Sequence, residues 1–165
     1  MNLLDRLLGH DAWTTRQLLL LCKDLSDEQL DREFDIGHRS LRATFAHTIR
    51  NVEVWAKLMD GVPLDDPVRS TQPPQSISGM ITQLDAASAH LAEVARAVAD
   101  RHAWDDLWLD GEDDPPTEKS FGGAIAHVIT HSMHHRAQLL YLMRMAGIEQ
   151  RPEGDVLSWE SQLRE

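Results

Sequence analysis

Two histidines four positions apart, His131 and His135, lie in the run Ala126-His127-Val128-Ile129-Thr130-His131-Ser132-Met133-His134-His135-Arg136, which holds four of the chain's nine histidines. No Gly or Pro stands between Gly123 and Gly147, so the segment predicts one helix, on which residues four apart stack on a single face. Two imidazoles so placed can converge on one divalent ion, but they need a third protein ligand from another element. His47, in Phe45-Ala46-His47-Thr48-Ile49-Arg50-Asn51-Val52-Glu53-Val54-Trp55, is the best candidate. His127, a further turn before His131, could serve as a ligand or an outer donor, whereas His134 is rotated off that face and suits capping or solvent contact better than ligation. His10, His38, His90 and His102 have no ligand-spaced neighbour and read as surface or loop histidines. Spacing alone leaves two readings of His47, His131 and His135 equally open: a metal site and a hydrogen-bonded core cluster.

Positioning these residues requires helices, and the apolar periodicity supplies four long ones. Residues 3–23 carry Leu4, Leu7, Leu8, Trp13, Leu18 and Leu21 at helical spacing. Ser26-Asp27-Glu28-Gln29 has the form of a capping box and predicts a short helix ending before Ile36-Gly37. Ser40 suits the N-cap of a second long helix, through Leu41, Phe45, Ile49, Val52, Trp55 and Met59 to Gly61. Linker composition from Val62 to Ser78 is long enough to cross from one end of a bundle to the other. A third helix follows from about Ser78 to Arg101, with Ile81, Leu84, Ala87, Leu91, Val94 and Val98 on one face. The stretch from Trp104 to Pro116 reads as a loop with room for a short strand pair, Ser120 caps the histidine helix, and a tail containing Pro152 and Trp159 ends in one more short helix. Written as heptads from Phe121, the histidine helix places Phe121, Ala124, Val128, His131, His135, Gln138, Leu142 and Met145 on its core seam. The expected architecture is an all-α four-helix bundle, one domain over residues 1–165, with a short extra helix or loop structure at the connections.

Composition narrows the partners. With 42% hydrophobic and 26% charged residues, 165 residues can bury a real core. A formal net charge of −11 argues against nucleic acid and against an anionic membrane surface. No apolar run is long enough to span a bilayer, and the first residues lack the basic start of a signal peptide, so a cytoplasmic protein is expected. Cys22 stands alone in an apolar helical stretch and reads as a packed thiol.

The segments AHTIRNVEVW with the KLMDG that follows, HVITHSMHHRAQLLYLMRMAG and, more loosely, DAWTTRQLL resemble the DinB-like family over most of the chain. The resemblance implies an up-and-down four-helix bundle holding one divalent metal per chain on His47, His131 and His135. Thr15 stands where the family often has Asn, and Ala137 where it often has Gly, a small-for-small change expected to preserve close helix packing. Mycothiol-dependent relatives commonly carry Glu as the middle ligand, so His131 resembles the all-histidine branch.

Three neutral ligands and an open fourth position would make a catalytic centre, with zinc the first choice and nickel, iron or copper acceptable to the same donors. The family includes transferases that use low-molecular-weight thiols, which implies a bacillithiol-like thiol as cosubstrate, an electrophile as small-molecule substrate, and a role in stress or detoxification. A hydrolase in which the metal activates water is the alternative enzyme. A stress-induced binding module with a structural metal, closed by His127 or His134, is the alternative outside catalysis. Arg50, Arg136 and Arg144 are the candidates for recognising an anion, and a homodimer is compatible with the family resemblance.

Overall fold

The structure, a computed structural model, describes residues 1–64, 76–150 and 154–164. Its elements are α1 (Leu3–Leu21), α2 (Asp27–Asp31), α3 (Leu41–Met59), α4 (Ile77–Asp100), β1 (Leu107–Asp110), β2 (Thr117–Ser120), α5 (Phe121–Met145) and α6 (Val156–Gln162). Side-chain caps set the helix starts. Ser26 and Gln29 form the reciprocal capping box of α2, and the hydroxyls of Ser40 and Ser120 accept from Ala43 and Gly123 at the heads of α3 and α5. Ser76 caps α4, so that helix begins slightly before the expected Ser78. Residues 65–75, the middle of the expected linker, and Pro152 lie outside the described residues.

Helix directions follow from which residues share a core. One apolar cluster joins Leu8, Val52, Ala56, Met59, Leu91, Val98, Ala124 and Val128. The other joins Leu18, Leu19, Leu41, Phe45, Ile77, Leu84, Leu139 and Leu142. The start of α1 thus lies level with the ends of α3 and α4 and the start of α5. The directions run up, down, down, up, and the parallel pair α3 and α4 demands a connection the length of the bundle. Helices α1 and α3 occupy opposite corners, each packed against both α4 and α5.

Between the two apolar clusters the interior turns polar. Asp11, Thr14 and Thr15 on α1, Thr44 and Thr48 on α3, and Ser132, His135 and Arg136 on α5 are all buried. Two sequence expectations shift accordingly. The inner stripe of α5 runs through Ser132, Leu139 and Met143, one position round from the heptad seam, leaving Met145 48% exposed. Leu21 on α1 is also largely outside, because the inner face there turns through Leu18, Leu19 and Cys22. Ala137 is exposed, so its methyl meets solvent and not a neighbouring helix.

The strand pair expected between Trp104 and Pro116 begins there with β1, but β2 falls later and runs into the cap of α5, with Trp108 opposite Lys119. At the other edge α6 rests on α1, where Gly9 leaves room for Trp159; a Cβ there would stand 2.7 Å from the indole.

Candidate metal centre

The level at which the core turns polar is also where four histidines meet. His47 sits near the middle of α3, and His131 and His135 occupy consecutive turns of α5. The His131 and His135 rings lie 4.4 Å apart between centroids, and His47 lies 4.6 Å from His135 and 5.3 Å from His131. All three residues singled out by spacing therefore face one another.

The structure adds a fourth, His38, and so corrects its reading as an unconnected loop histidine. Its ring stacks on His47 at 3.8 Å and lies 5.4 Å from His135. One ring nitrogen from each of His38, His47 and His135 stands within 4.8 Å of the other two, and that group, which does not include His131, could hold a metal ion. Helical periodicity could not find His38, because it lies on the 32–40 loop. The usable signal was Gly37 before it and the Ser40 cap after it, which fold the loop back over the first turns of α3. That loop is tied at both ends. Buried Arg42 on α3 bonds Asp31 at 2.7 Å and also reaches Asp27, holding α2 in place. The Phe34 amide donates to the Arg39 carbonyl at 2.7 Å, and Gly37 and Arg39 take positive φ of 50° and 72°.

Hydrogen bonding orients the rings. His135 Nδ1 lies 2.8 Å from Gln138 Oε1, while Gln138 Nε2 lies 3.0 Å from His134 Nε2. With the amide nitrogen donating to His134, its oxygen accepts from His135 Nδ1–H, and His135 Nε2 is left as a lone pair. That atom faces His131 Nε2 at 3.2 Å. Two nitrogens each bound about 2.1 Å from one tetrahedral ion stand roughly 3.4 Å apart, so the pair is already at coordinating separation. His131 Nδ1 is buried and lacks a partner among the described residues. Burial, then the surrounding histidines, pushes both His47 and His131 down to about 4; burial also lowers His38 and His135. All four are neutral at pH 7, the form that binds a cation. The residues fit a divalent metal.

His127 and His134 lie outside this convergence. His127 stands 5.2 Å from His131 and 5.0 Å from the Trp55 ring. Trp55 in turn meets Trp108 edge-on at 6.2 Å, and Trp108 meets Phe121 at 6.3 Å, which extends the cluster into an aromatic patch. The Trp55 indole donates to Asn51 Oδ1 at 3.1 Å, whereas Asn51 Nδ2 and Trp108 Nε1 are buried without partners among the described residues. Of the three arginines considered for anions, Arg136 is committed to Asp11 in a buried ion pair, and Arg50 and Arg144 are exposed. Thr15 keeps a polar role, donating to the Asp11 carbonyl at 2.9 Å within reach of Arg136.

A family model described as the DinB family matches residues 1–162. No curated protein matches the chain. No helix among the described residues is long and apolar enough to cross a membrane.

Proposed function

The chain belongs to the DinB family, and from that premise we propose a metal-dependent enzyme that joins a low-molecular-weight thiol, bacillithiol-like in kind, to an electrophile. The observation that carries this reading is the meeting of imidazoles from α3 and α5, with the His47 ring 4.6 Å from that of His135 and His131 Nε2 3.2 Å from His135 Nε2. His47, His131 and His135 hold one divalent ion per chain, zinc first among the candidates. Such an ion, balanced by no ligand charge, favours thiolate over thiol.

The lining of the site suits a thiol acceptor. Asp11 is paired with Arg136, and Glu53 on α3 is bound by Lys57 and Gln83, so neither carboxylate is free to serve a hydrolase as base, a role left to the neutral histidines. The aromatic patch formed by His127, Trp55 and Trp108 suits a planar apolar electrophile, and the free donors on Asn51 and Trp108 suit a polar substituent on it.

Elemental analysis of the purified chain, with zinc affinity measured for His131→Ala and His47→Ala, tests the ligands: one ion per chain is expected in the parent, and at least about tenfold weaker binding in either variant. Activity toward a chlorinated aromatic or an epoxide, with and without thiol, tests the reaction. Turnover of a model ester without thiol would instead assign the site to hydrolysis, and inertness in both assays to a binding module.

A further inference from the structure

We propose that His38 is a fourth, displaceable ligand, which occupies the coordination place left by His47, His131 and His135 in the resting protein and gives it up to an incoming thiolate. The proposal rests on the metal reading above and adds to it a closed state. Three observations carry it. First, the His38 ring is stacked on one ligand and within 4.8 Å, donor to donor, of two, while its ring contacts are with His47 and His135 alone. Donors on one tetrahedral ion stand roughly 3.4 Å apart, so closure needs the His38 ring to move inward on its loop.

Second, His38 differs from the other three in what holds it. They are anchored on long helices, whereas His38 is exposed at the tip of a loop and can swing out without disturbing a helix. Third, the loop is built to lie on the site. Gly37 takes a φ of +50°, which favours glycine, and a Cβ there would stand 2.4 Å from Gln138 Oε1 and displace the atom that accepts from His135.

Four imidazoles make a closed, structural-type centre and three make an open, catalytic one. In the exchange, the bond from the His38 ring nitrogen to the ion breaks, a sulfur-to-ion bond forms, and the thiol's proton passes to solvent. Displacement thus ties opening of the site to arrival of a soft anion, and His38 keeps weaker ligands such as water out until then.

The test uses the full chain loaded with cobalt or zinc. His38→Ala should retain one ion per chain, lose at least about tenfold in zinc affinity measured against a chromophoric chelator, change the visible cobalt spectrum, and recover that spectrum when free imidazole is added. Azide should bind the cobalt form of His38→Ala at least about tenfold more tightly than the parent, because it no longer competes with a tethered ring. His38→Gln should behave like His38→Ala. Equal zinc affinity and identical cobalt spectra in parent and variants would overturn the proposal while leaving the three-ligand site intact. Unchanged zinc affinity in His47→Ala and His131→Ala would overturn both.

Discussion

Gln138 decides which nitrogen of His135 is free. Its carbonyl oxygen holds Nδ1–H, so Nε2 keeps the lone pair, and Gly37 packs against the same amide. Replacement by Leu should preserve helix content by far-UV circular dichroism yet weaken metal affinity by about 10- to 100-fold; unchanged affinity would mean that packing alone orients the ring. The histidines also set a pH dependence. In the unfolded chain they titrate near about 6.5, whereas His47 and His131 in the fold are held down to about 4, chiefly by burial. Between these values the unfolded chain binds protons that the fold refuses, so stability is full above about pH 6.5 and is lost as pH falls toward 4. Urea midpoints of the metal-free protein should drop across that window, and less steeply in His131→Gln. At this scale the approach of His131 to His135 was legible because four-residue spacing on a helix is local. His38 was not, because its approach depends on a backbone reversal at Gly37 and Arg39 that no periodicity encodes.

Between elements, the contact that most defines the register of α1 against α5 is the buried pair of Asp11 and Arg136, one residue beyond His135. Both side chains are nearly inaccessible, so removing one leaves the other buried without its counter-charge. Arg136→Met should cost about 3–5 kcal/mol by urea denaturation of the metal-free protein, and adding Asp11→Leu should recover much of that loss. If the double variant is no better than the single one, the pair contributes through Thr15 and the Asp11 carbonyl, the other groups near Arg136. Helix starts were readable from the sequence because Ser26, Ser40 and Ser120 act on backbone amides within three residues. The inner stripe of α5 was misplaced by one position for the opposite reason: Arg136 faces inward because Asp11 on α1 accepts it, and hydrophobicity alone assigns such a residue to the surface.

In the whole molecule, apolar clusters above and below the histidines each draw on all four long helices. Either cluster ties the bundle together without help from the polar level between them, and the order of helix directions needed those tertiary pairings to be read. Metal should therefore stabilise an already folded chain, unlike small metal-dependent folds in which removing the ion abolishes structure. An ion present at a hundredfold excess over its Kd adds about 2.7 kcal/mol by mass action. In a domain of this size about 1 kcal/mol moves Tm by roughly 2–4 °C, so chelation should lower Tm by roughly 5–11 °C. The far-UV signal at 25 °C should stay the same. Loss of helix on chelation would mean that the histidine level carries the fold, which would make the ion structural and favour a binding module over an enzyme. Retained helix with a lowered Tm instead leaves the site free to exchange ligands without unfolding, as a transferase requires.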